Sequence, residues 1–123
     1  MTTTPEGRVS AALRQAVIRY NGEIRKVQWQ GRVGAPDWLV MMNGGALFVE
    51  TKAPGDVPRH SQIVEFRRIY RESGIPVLVI DRAEDASDII DALLSRAEGN
   101  LKDYRRMIET YSFERFCMEK QCG

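Results

Sequence analysis

The stretch Trp38-Leu-Val-Met-Met-Asn-Gly-Gly-Ala-Leu-Phe-Val-Glu-Thr-Lys52 decides the fold. Two apolar runs flank Asn43-Gly44-Gly45. Asn-Gly suits a two-residue type I′ turn, because both central residues must adopt positive φ. The stretch therefore reads as a β-hairpin. With the turn on Asn43-Gly44, Met42 faces Gly45 and Val40 faces Leu47. One step further out, Asp37 faces Glu50. A turn shifted to Gly44-Gly45 would place Asp37 nearer Lys52 instead. Both registers gather the same charged groups.

Upstream, residues 3–20 read as a helix. Thr3 and Glu6 have capping-box spacing, and Pro5 sits in the first turn, where a missing N–H costs little. Val9, Leu13, Ala16, Val17 and Tyr20 form an apolar stripe, and Glu6 lies one turn before it on the same side. Asn21-Gly22 ends the helix. Residues 23–30 read as a strand carrying Ile24, Val27 and Trp29, and residues 31–36 as a glycine-punctuated loop.

Downstream, residues 53–58 form a Gly/Pro loop. A helix starting at Pro58 or Arg59 runs to Ser73, where Gly74 stops it. Residues 75–80 are apolar throughout, as in a strand buried on both faces. Residues 84–97 form a helix, and residues 101–119 a last amphipathic segment with Leu101, Tyr104, Ile108 and Tyr111 on one side. The order α-β-β-β-α-β-α plus a C-terminal helical segment implies an α/β fold with a mixed sheet flanked by helices. The expected division is a core of residues 1–98, complete by about Ala97, and an extension of residues 99–123. The apolar stripe of that extension serves either as a dimer surface or as packing on its own core.

With 123 residues the chain suits one domain. It has no apolar run of membrane-spanning length, and its first residues lack a signal-peptide core, so a cytoplasmic protein is expected. Cys117 and Cys122, alone at the C-terminal end, are not a disulfide framework. His60 is the single histidine, which excludes His-rich zinc sites and most His-based metal nucleases within one chain. Any metal must be held by oxygen, which favours Mg²⁺ or Mn²⁺. A net charge of +1 is compatible with a basic nucleic-acid face beside an acidic site.

Glu50 and Lys52, two apart on a strand, share a face. Asp37 opposite Glu50 would repel it, unless a divalent cation turns repulsion into attraction. On this reading Asp37 and Glu50 ligate Mg²⁺, with the backbone carbonyl of Thr51 as a third ligand. Lys52 orients the attacking water or neutralises charge at a phosphate. The chemistry is then metal-assisted hydrolysis of a phosphodiester. The same spacing also suits a turn aspartate followed by solvated strand charges. Glu6 either adds a carboxylate or serves the helix cap and dipole. Gln62 either holds a water or phosphate or is a solvated first-turn residue. Arg59, Arg67, Arg68 and Arg71 on one helix, and Arg25, Lys26 and Arg32 before Asp37, are phosphate contacts or a solvated face. Trp29 and Trp38 pack in the core or stack on an unpaired base.

Pro36-Asp37, then Glu50-Thr51-Lys52, then Gln62, with Glu6 on a preceding helix, resembles the PD-(D/E)XK motif as it occurs in the VRR-NUC nucleases. The resemblance covers residues 5–80. It implies a restriction-endonuclease-like fold and a Mg²⁺ or Mn²⁺ cofactor. Asp37 and Glu50 match the metal ligands, Lys52 the catalytic lysine, Glu6 the helix glutamate and Gln62 the following glutamine. Thr51 departs from the pattern, where a larger aliphatic residue is usual. Stand-alone members of this size resemble phage-encoded homodimers that cut branched DNA such as four-way (Holliday) junctions, which would place the protein in a host cytoplasm. The alternatives are a nuclease on flapped or nicked DNA, and a nucleic-acid-binding module that does not cleave.

Overall fold

Asn43 and Gly44 turn the chain with φ of 51° and 82°, as a type I′ turn requires. In the computed structural model, residues 3–120 and Cys122 are described. The element order is α1 (Pro5–Arg19), β1 (Glu23–Lys26), β2 (Trp38–Met42), β3 (Gly45–Thr51), α2 (His60–Ser73), β4 (Val77–Ile80), α3 (Asp85–Ala97), α4 (Leu101–Tyr111) and α5 (Phe113–Lys120). The strands form one sheet in the order β1-β2-β3-β4. β1–β2 and β2–β3 pair antiparallel, while β3–β4 pair parallel across the α2 crossover. The hairpin register is the one expected: Met42 opposes Gly45, Val40 opposes Leu47 and Trp38 opposes Val49. The mixed sheet flanked by helices is the α/β fold read from the sequence.

Alternation along the strands sorts side chains onto the two faces. Val40, Leu47, Val49, Leu78 and Ile80 point into one core layer, with Val9, Leu13 and Val17 of α1 and Ile89, Ile90 and Leu93 of α3. Phe48, Val77 and Val79 point to the other, under Phe66 and Ile69 of α2. β4 is buried at every residue, which explains its unbroken apolar run.

Four expectations need correction. The cap of α1 is Thr4, whose hydroxyl accepts from the Gly7 N–H, so Thr3 and Glu6 do not form the capping box. β1 stops at Lys26 rather than residue 30: Val27 N–H still bonds the Asp37 carbonyl, and the chain then leaves the sheet to form the loop. Residues 101–119 are two helices, not one segment. Ser112 breaks them with extended backbone (φ −54°, ψ 146°) and bridges to Leu78 at the outer edge of β4. The core is also incomplete at residue 97. Met107 of α4 lies in the first layer, and Phe113 and Phe116 of α5 lie in the second. Tyr104, Met107, Ile108, Tyr111, Phe113 and Phe116 thus pack on the chain's own core, while Leu101 and Met118 stay exposed. The outermost ends of the chain, Met1 and Thr2 in the segment read as lacking a signal and Gln121 and Gly123 in the extension, lie outside the described residues.

Candidate functional site

The hairpin register leads directly to the site. Extending the β2–β3 pairing by one step sets Asp37 against Glu50, and their contacts bear this out: the Asp37 N–H donates to Glu50 Oε1 at 3.0 Å. The Thr51 N–H and hydroxyl both donate to Asp37 Oδ2 at 3.1 Å. Along β3 the N–H groups of Phe48 and Lys52 bond β4-side carbonyls, so the intervening Thr51 turns its backbone groups towards Asp37.

Glu50 is 1% exposed. Its Oε2 accepts from Gln62 Nε2 at 2.7 Å and lies 3.1 Å from Lys52 Nζ. Gln62 sits in the first turn of α2, where its Oε1 accepts the Arg59 N–H at 2.9 Å and that of Lys52 Nζ at 3.4 Å. Gln62 is thus a buried connector rather than a solvated first-turn residue. It ties the helix start to the strand that carries Glu50 and Lys52.

The electrostatics follow from this crowding. Burial pushes the Glu50 carboxyl up to about 7, and the neighbouring Asp37 adds to the rise; Lys52 and Gln62 oppose it. Lys26 Nζ lies 3.6 Å from Asp37 Oδ1, on the more open side. The two carboxylates are adjacent, one of them almost wholly buried, and each has one lysine beside it: Lys52 at Glu50 and Lys26 at Asp37. The donor set is all oxygen and suits a hard divalent cation. Among the described residues no third His, Cys, Asp or Glu joins the pair to complete a metal-holding cluster. Glu6 is exposed in the first turn of α1. One turn later on that helix, Ser10 Oγ and Thr51 Oγ1 are 2.7 Å apart, so the face of α1 that carries Glu6 borders the site.

Two contributions escaped the sequence reading. Ser10 is one; its helical spacing from Glu6 was the available signal. The other is Glu65, 3% exposed on α2, one turn after Gln62. Its carboxylate takes Arg32 Nε and Nη2 at 3.1 and 2.9 Å, and Arg68 Nε and Nη2 at 2.9 and 2.8 Å. The guanidinium groups of Arg68 and Arg32 hold its carboxyl down at about 2. This clamp pins the loop before Asp37 onto α2. Gly34, at φ 89°, completes the pin: a Cβ there would lie 2.6 Å from the Ser61 carbonyl oxygen. Arg32 and Arg68, read as phosphate contacts or solvated charges, are therefore occupied by Glu65. Arg25 pairs with Glu23, and Arg71 with Glu72. Trp29 and Trp38 pack against the two core layers. No helix among the described residues is long and apolar enough to cross a membrane.

No family model matches the chain. It is 37% identical over 89 residues to a protein named "Putative nuclease p44" from Acyrthosiphon pisum secondary endosymbiont phage 1, a match that spans 72% of this chain and 94% of the phage protein. A solved structure described as a VRR_NUC domain superposes with a TM-score of 0.64 at 33% identity, over 72% of this chain and 96% of that one. Sequence and fold agree on the family, and the chain belongs to the VRR-NUC nucleases.

Proposed function

We propose that this nuclease is a Mg²⁺- or Mn²⁺-dependent DNA endonuclease whose site is built on Asp37, Glu50 and Lys52. The observation that supports it best is the adjacent carboxylates of Asp37 and buried Glu50, the latter pushed up to about 7 by burial and by Asp37. A divalent cation between the two carboxylates would turn their mutual repulsion into attraction. Asp37, Glu50 and the Thr51 carbonyl would hold the metal, with Glu6 at the border as a further carboxylate. When bound, a metal supplies an acidified water and charge stabilisation at the scissile phosphate. Lys52, fixed between Glu50 and Gln62, presents its ammonium to a phosphate oxygen or to the attacking water. Gln62 keeps Lys52 and Glu50 in register.

The preferred substrate on this reading is branched DNA such as a four-way junction, cut by a homodimer in a host cytoplasm. A two-fold dimer would bring one site to each of two symmetric strands. Labelled linear, flapped, nicked and four-way DNA, incubated with Mg²⁺ or Mn²⁺, tests this. Preferential, symmetric cutting of the four-way substrate by a species that scatters light as a dimer is expected. Preference for flapped or nicked DNA, or a monomer in solution, would overturn the junction reading. Binding without cleavage in either metal would reduce the protein to a nucleic-acid-binding module.

A further inference from the structure

Beside the carboxylates, between α1 and the β1–β2 edge, runs a groove of about 600 Å³ lined by Arg14, Ile18, Gly22, Glu23, Arg25, Lys26 and Trp38. It adjoins the site through Lys26, whose Nζ lies 3.6 Å from Asp37 Oδ1. Two cations converge on one ring: Arg14 Cζ lies 5.8 Å and Lys26 Nζ 4.8 Å from the Trp38 centroid. A ring face positions a cation without neutralising it. Among the described residues Arg14 has no carboxylate partner, whereas Arg32 and Arg68 share Glu65. Arg25 is 67% exposed and paired with Glu23, and Lys26 is 65% exposed and paired with Asp37, so each would exchange a surface carboxylate for a phosphate. The indole itself is half-buried against the layer under α1.

We infer that this groove is the track for the sugar–phosphate backbone of the substrate strand, with Arg14, Arg25 and Lys26 contacting phosphates next to the one that is cut. The inference rests on the proposed site at Asp37 and Glu50, and deepens it by saying on which side of that site the strand lies. The charge fits a polyanion. Arg59 and Arg67 on the α2 side are exposed as well, so what distinguishes the groove is the pair of cations held on one ring beside Asp37, not a greater charge. Trp38, covered by two cations, acts as a platform for them rather than as a stacking surface for a base.

The test is binding without cleavage. Fluorescence anisotropy in EDTA, over a range of salt, is measured for a short labelled oligonucleotide as single strand and as duplex. The proteins are the wild type, the double variant Arg14→Ala/Arg25→Ala, and Arg105→Ala, which removes an exposed cation on α4. The groove variant should bind both forms about tenfold more weakly, with the salt slope reduced by about 2, one per lost phosphate contact. Arg105→Ala should bind as the wild type does. An unchanged affinity and slope in the groove variant, or an equal loss in Arg105→Ala, would overturn the track. Hydrolysis of bis(p-nitrophenyl) phosphate with Mn²⁺ separates this from the site reading, since that ester has no backbone to lay in the groove. The groove variant should hydrolyse it at the wild-type rate. A loss there comparable to the loss in DNA binding would show that the substitutions damage the site instead, and would count against the track.

Discussion

Glu50 is a carboxylate with almost no access to water, and that burial sets its behaviour. Its folded acid strength, about 7, lies above the ordinary 4.5. The folded state therefore holds this proton more tightly than the unfolded chain does. The resulting stability is fully present below about pH 4.5 and is lost as pH rises through about 7, up to about 3 kcal/mol. Metal-free protein should accordingly melt at lower temperature at about pH 8 than at about pH 5.5, and Mg²⁺ should restore more of the Tm at the higher pH, where it no longer competes with the proton. Differential scanning calorimetry of the wild type against Glu50→Gln checks this. A variant with the same pH slope and the same Mg²⁺ response would show that Glu50 is not the group responsible. At this scale the sequence was legible where pairing is local. Asp37 meets Glu50 because strand alternation and a turn on Asn43-Gly44, rather than on Gly44-Gly45, set them opposite. Glu65 was not legible, because its bond to Arg32 spans 33 positions and depends on where α2 docks over the loop.

Among the elements, the hairpin and α2 follow from short-range chemistry: positive φ at Asn43-Gly44, and Gly74 in the left-handed region at φ 73° closing the helix. The break at Ser112 was hidden, since both halves keep a helical apolar period. What breaks the helix is a tertiary contact, the bridge from Ser112 to Leu78. That bridge covers the outer edge of β4, and Phe113 then drops into the layer under α2, edge-on to Phe66 at 6.0 Å. Tyr111 adds an anchor by donating its hydroxyl to Asp88 and, at 3.4 Å, to Asp85 of α3. The extension is consequently structural. Phe113→Ala should cost about 3–5 kcal/mol in chemical denaturation. A chain ending at residue 98 should fail to give a cooperative transition, since it also exposes the edge of β4. Cooperative unfolding of residues 1–98 with full stability would restore the two-part division.

On the scale of the whole molecule, the sheet separates two jobs. One layer, with α1 and α3, supports the groove at Arg14 and Trp38. The other, with α2 and α5, supplies Gln62 to the site and Glu65 to the loop clamp. The carboxylates stand where both layers meet the end of β3. The fold class was readable because apolar period, turn residues and crossover length all pointed to one topology. The substrate was not, because it depends on surface charge left free after internal pairing, and pairing is a three-dimensional property. The central claim is that Asp37, Glu50 and Lys52 form a metal-dependent hydrolytic site. The most direct measurement is cleavage of labelled DNA with Mg²⁺ or with EDTA by the wild type and by folded Asp37→Asn, Glu50→Gln and Lys52→Ala. The account predicts cutting by the wild type in Mg²⁺ alone, and a loss of about a hundredfold or more in each variant. Cleavage that persists in EDTA, or that survives these substitutions, would contradict it.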